Sequence, residues 1–109
     1  MEFSSETKGG YLVVSASGHM DTTTAQEFEA QCEEWIAQGT YKVVVNMSGV
    51  EYISSAGLRS VLVAGKKLKA GSGELRFCGL TDMVREVFTL SGFGAMFKIF
   101  ETPDQAVSG

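Results

Sequence analysis

Three consecutive valines, Val43, Val44 and Val45, stand between two stretches of helical periodicity. Side chains alternate faces along a strand, so an unbroken apolar run needs cover on both faces of its sheet. Tyr41 to Met47 therefore reads as a central strand in a sheet flanked by helices, and the rest of the chain has to supply the cover.

The flanking periodicities do so. Ala25, Phe28, Cys32, Trp35 and Ile36 form one helical stripe, with Glu27, Glu29, Gln31, Glu33 and Glu34 mostly on other sides of the wheel. Thr23 with Gln26 matches a capping box, and Gly39 is a plausible stop. Leu58, Val61, Leu62, Gly65 and Leu68 form a second stripe. Lys66, Lys67 and Lys69 cluster in its last turns, where cations suit the dipole. Gly71-Ser72-Gly73 ends it, and Ser48 to Ile53 reads as a loop leading into it.

Before the first stripe, Tyr11 to Ser17 reads as a strand closed by Gly18. A shorter strand from Phe3 to Thr7 pairs with it through a Lys8-Gly9-Gly10 turn. After the second stripe, Glu74 to Cys78 alternates as a strand. Thr81 or Asp82 caps a third helix carrying Met83, Val84, Val87 and Phe88, and Ser91 to Gly94 is its exit. Phe97 to Phe100 is a last short strand. Thr102, Pro103 and Gln105 announce a final helix from about residue 102, with few residues left to grow, so it reads as cut short. The expectation is an α/β fold: one domain over residues 1–109, with a mixed, mostly parallel sheet of four to five strands and about four helices. Its first strand pair is antiparallel.

Composition narrows the function. The chain has 109 residues, 9 basic and 13 acidic, for a net charge of −4, against the basic balance of a nucleic-acid binder. Two cysteines are too few for a disulfide scaffold. No apolar run reaches the ~18 residues of a membrane span, and the N-terminus lacks the features of a signal peptide. The expectation is a small cytoplasmic protein, a monomer or weak dimer, with no direct membrane insertion.

Catalytic constellations are missing from the sequence. His19 lies near Asp21, but no serine or cysteine sits in a nucleophile elbow, so His19 reads as a solvated loop histidine. Cys32 and Cys78 have no metal-ligand spacing and read as small buried apolar groups. No phosphate-loop motif is present. The expectation is a non-enzyme with no cofactor and no metal.

Ser54-Ser55-Ala56-Gly57 stands out, immediately before the second stripe. One serine serves as a helix cap. Two serines and a glycine exceed what a cap needs, and free backbone N–H groups at a helix start tolerate a phosphate. The segment is chemically suited to carry a phosphoserine.

Three blocks resemble the STAS domain family. Val43 to Leu58 is similar to its central signature, a strand and short segment leading to D-S-x-G-L at a helix start. Gly18 to Ala25 is similar to the block that enters the first helix. Leu80 to Ala106 is similar to the third, ending in the helix after Glu101-Thr102-Pro103. Together they cover nearly the whole chain in order.

A standalone domain of this size resembles the bacterial anti-sigma factor antagonists of that family, which regulate transcription, as in stress responses. The resemblance implies that Ser55 is phosphorylated by a partner that is both a serine kinase and an anti-sigma factor. The unphosphorylated protein binds that kinase and frees a sigma factor. A metal-dependent serine phosphatase resets it. The implied contact surface includes Asp21, Ser54, Gly57 and the start of the second helix. The sequence departs from the pattern at Ser54, where the family has an acid, so Ser54 is a competing acceptor. The alternative reading is a non-catalytic STAS subunit of a membrane transporter or larger signalling assembly, without a phosphorylation switch.

Overall fold

The computed structural model describes residues 1–109. Its strands are β1 (Glu2–Lys8), β2 (Tyr11–Met20), β3 (Lys42–Ile53), β4 (Glu74–Cys78) and β5 (Ile99–Phe100). Its helices are α1 (Ala25–Ala37), α2 (Ser55–Ala70), α3 (Asp82–Leu90), α4 (Phe93–Met96) and α5 (Pro103–Ser108). The five strands lie in the order β1-β2-β3-β4-β5, with β1 antiparallel to β2 and every other pair parallel. The α/β class and the mixed sheet with its antiparallel first pair are as expected. There are five helices rather than about four, because residues 93–96 coil into a short turn of helix after α3.

The turn between β1 and β2 is Gly9-Gly10. Both glycines have positive φ, 59° and 84°, the geometry that matches a hairpin turn to the twist of its strands. Gly18 does not end β2, which continues to Met20. Nor is the segment before α2 a loop, since β3 runs on to Ile53. Register shifts at Ser15/Ser17 and Gly18/His19 absorb the irregularity while pairing with β2 persists. The polar residues of Ser48 to Tyr52 hide the strand from a period-two reading.

The valine run behaves as its pattern requires. Val43 and Val45 pack with Phe28, Trp35, Val61, Leu68, Phe77 and Phe88 in the main core, under α1, α2 and α3. Val44 faces the other way, into a small cluster with Tyr11, Val13, Cys78 and Ala106 of α5. All three valines are fully buried, and each full burial stabilises by about 1.5–3 kcal/mol. Beyond α5 the second face turns polar, and Ser15 and Ser48 are exposed.

The caps differ in part from expectation. Thr24, not Thr23, precedes α1, and it makes no capping bond of its own. Thr81 precedes α3, but its hydroxyl donates to the Val50 carbonyl oxygen at 3.1 Å, tying α3 to β3 instead of capping. At α5 the expected cap is present: Thr102 Oγ1 accepts from Gln105 N at 3.2 Å, with Pro103 in the first turn.

Candidate functional site

β2 and β3 end side by side, and α1 and α2 begin just beyond those ends. In parallel α/β sheets this carboxyl end is where binding residues gather. Ser54 N donates to the Met20 carbonyl oxygen at 2.8 Å, which ties the start of α2 to the end of β2. Ser54 is extended, φ −93° and ψ 176°, and its Oγ accepts from Gly57 N at 3.2 Å. It is thus the N-cap of α2, satisfying one of the free donors of the first turn. Gly57 is buried where the helix meets β2 and β3. A Cβ there would lie 2.8 Å from Ile53 Cγ1, Met20 Cγ and the Met20 carbonyl oxygen.

Ser55 is different. It is exposed, and its hydroxyl has no partner in the chain. It lines an open groove between α1 and α2 with Arg59 and Ser60 from its own helix and Thr22, Gln26 and Glu29 opposite. Ser60 is buried and donates to Glu29 Oε2 at 2.6 Å, pinning the groove floor. The first turn of α2 holds no acidic residue.

Asp21 builds the neighbouring loop. Its Oδ1 accepts from Thr23 Oγ1 at 2.7 Å, Thr23 N at 3.0 Å and Thr24 N at 3.2 Å. These hydrogen bonds, that from the Thr23 hydroxyl foremost, hold its carboxyl below the usual range. Thr24 Oγ1 donates in turn to the His19 carbonyl oxygen at 2.6 Å. The side chain of Asp21 therefore orders the entry to α1.

Of the residues singled out in the sequence, Asp21, Ser54, Ser55 and Gly57 come together at this one end of the sheet. His19 stays exposed: its ring pairs with Glu51 at 3.3 Å and meets the Tyr52 ring edge-on, while Asp21 is engaged by threonines. Cys32 and Cys78 are buried in separate clusters, and burial raises both thiols to about 11. No cluster of three or more His, Cys, Asp or Glu side chains is gathered anywhere in the structure. No helix is long and apolar enough to cross a membrane.

Arg59, Glu29 and Ser60 were not singled out in the sequence. Arg59 had a signal, standing four residues after Ser55 on one helix. Glu29 and Ser60 lie 31 residues apart, and their contact emerges only when α1 packs on α2.

Comparison with known proteins agrees with this architecture. The STAS domain family matches residues 2–106. BtrV of Bordetella bronchiseptica, which carries an anti-sigma factor antagonist designation, is 36% identical over 99 residues, covering 91% of this chain and 85% of BtrV. The crystal structure of an anti-sigma factor antagonist from Mycobacterium paratuberculosis superposes with a TM-score of 0.86 at 27% identity, covering 98% of this chain and 91% of that one. A Thermotoga maritima structure shares the fold, with a TM-score of 0.90 at 20% identity over 97% of this chain and 92% of its own. The match along almost the full sequence and the shared fold agree: the chain belongs to the STAS domain family.

Proposed function

We propose that this STAS domain is an anti-sigma factor antagonist switched at Ser55. Unphosphorylated, the surface around the start of α2 binds an anti-sigma factor serine kinase in the cytoplasm and so frees a sigma factor. The protein acts by binding and is the substrate of the kinase, not a catalyst. The observation that carries this reading is the contrast between adjacent serines. Ser54 Oγ is half-buried and engaged as the helix cap, whereas Ser55 Oγ is exposed and unpartnered. The anti-sigma factor antagonist designation of BtrV supports the same role.

In the switching step the Ser55 oxygen forms a bond to the γ-phosphorus of ATP. The bond from that phosphorus to the bridging oxygen breaks, ADP leaves, and the hydroxyl proton passes to a base on the kinase. A metal-dependent serine phosphatase reverses the state by hydrolysis. The phosphate adds about −1.5 to −2 charges at neutral pH. Within the chain the helix start accommodates it, at an effect under ~2 kcal/mol. Against a partner the dianion has to be desolvated, at several kcal/mol if unpaired. A loss of ~4 kcal/mol weakens binding about a thousandfold. Docking ends without any change of fold. Asp21 and Ser54, at the rim, and Gly57, beneath it, hold the surface in shape.

A pull-down from native-host lysate with Ser55→Ala and Ser55→Asp baits tests this. The alanine form captures an ATPase with serine-kinase activity, and the aspartate form does not. Capture of one and the same transporter component by both forms would replace the switch with a constitutive subunit role.

A further inference from the structure

We propose that Arg59 is the intramolecular counter-ion of phosphorylated Ser55, drawing the phosphate back onto the flank of α2. The inference rests on Ser55 being the modified residue. Residues four apart on a helix are neighbours, and an acidic group N-terminal to a basic one is the favoured order. Ser55 and Arg59 stand in that relation, both exposed and both lining one groove. Arg59 has no carboxylate partner, since the ion pairs of the chain involve Met1, Lys8, His19, Lys67 and Arg76.

The other charged side chain lining the groove is Glu29, from α1. Its Oε2 is already held by the Ser60 hydroxyl at 2.6 Å. A phosphate on Ser55 is repelled from that wall and attracted to Arg59, so one direction across the groove is selected. Arg guanidinium also matches phosphate geometry through paired N–H donors. Phosphorylation then changes the docking surface twice: it adds a dianion and ties up the one free cation of the groove. Arg59 is a positioning residue for the switch.

The test uses the full chain with phosphoserine installed directly at position 55, so no kinase is required. The midpoint of the second phosphate ionisation is followed by phosphorus NMR in the parent, Arg59→Gln and Arg59→Lys. Loss of the pair raises the midpoint by about 0.3 pH unit in Arg59→Gln, and Arg59→Lys recovers part of it. Arg59 Nε–H in the parent also shifts on phosphorylation, a readout that needs no substitution to fold. Equal midpoints in parent and Arg59→Gln, or an unmoved Nε–H resonance, overturn the proposal. Failure of the switch itself is a separate result: it appears as equal partner binding by phosphorylated and unmodified protein, whatever the midpoints do.

Discussion

Arg76 Nη1 donates to the Ala106 carbonyl oxygen at 2.7 Å, joining β4 to the last helix across the second face of the sheet. The same nitrogen reaches the Gly109 carbonyl oxygen at 3.0 Å. Helix ends leave carbonyls without partners, and this guanidinium supplies two of them. Its other nitrogens meet Glu74 Oε1 at 3.0 and 2.8 Å, and its Cζ lies 4.8 Å from the Tyr11 ring centroid. Tyr11 OH donates to the same carboxylate at 2.8 Å. Burial pushes the Glu74 carboxyl up, but the bonds from Tyr11 and Arg76 outweigh it and the net direction is down. A buried charge is tolerated here because each of the three guanidinium nitrogens has an oxygen partner.

Arg76→Met therefore destabilises the fold. Removing one partner of a fully buried pair costs about 3–5 kcal/mol. Glu74 is partly solvated, so about 2–3 kcal/mol is expected here, read as a lower urea midpoint. Arg76→Lys recovers only part of the loss, because a single ammonium cannot span Glu74, Ala106 and Gly109 as the planar fork does.

Gly57→Ala is expected to cost about 1–3 kcal/mol by overpacking. Side chains of Met20 and Ile53 can yield, but the Met20 carbonyl oxygen, 2.8 Å from the new Cβ, is fixed by the strand. Relief requires α2 to move away from β2, which shifts Ser55 with it. A thermal scan checks the stability, where 1 kcal/mol corresponds to about 4–8 °C for a domain of this size.

Much of this fold was legible because its signals are local. The valine run demanded two covered faces, and Val44 turned out to rest on α5 while Val43 and Val45 face the other helices. Gly9-Gly10 specified the hairpin, and Thr102-Pro103 specified the start of α5. The far half of β3 was not legible, since Ser48, Glu51 and Tyr52 are exposed and break the alternation while the backbone ladder continues. The same division holds at the site. Ser54 and Ser55 sit in one local motif, so their placement at the helix start was expected. Which hydroxyl is engaged depends on backbone angles at Ser54, and the opposite wall of the groove depends on how α1 packs on α2.

The acid dependence of Asp21 follows from its hydrogen bonds. Its folded pKa lies below the ordinary carboxyl value of 3.8. A depressed carboxyl contributes stability above its unfolded pKa and loses it as pH falls through the folded one. The parent should therefore exceed Asp21→Asn in stability at neutral pH, with the gap closing below about pH 4. Urea unfolding of both proteins from pH 7 down to pH 3 checks this. A gap that is constant with pH would mean the carboxylate charge is not what the threonines stabilise.

The two serines should separate cleanly in stability as well as in binding. Ser54 Oγ accepts from Gly57 N, so Ser54→Ala loses a helix cap and about 1 kcal/mol. Ser55 Oγ is exposed and makes no hydrogen bond in the chain, so Ser55→Ala should stay within about 0.5 kcal/mol of the parent. Ser54→Asp keeps a capping acceptor and adds a negative charge at the start of α2, where the dipole favours it. It should match or exceed the parent in stability at neutral pH. That charge also lies beside Ser55, so in phosphorylated protein it competes for the same N–H groups and raises the phosphate midpoint. Denaturant unfolding of the three variants measures the first set of differences, and phosphorus NMR of phosphorylated Ser54→Asp measures the second. Equal loss in Ser54→Ala and Ser55→Ala would remove the structural distinction between cap and acceptor on which the Ser55 assignment depends.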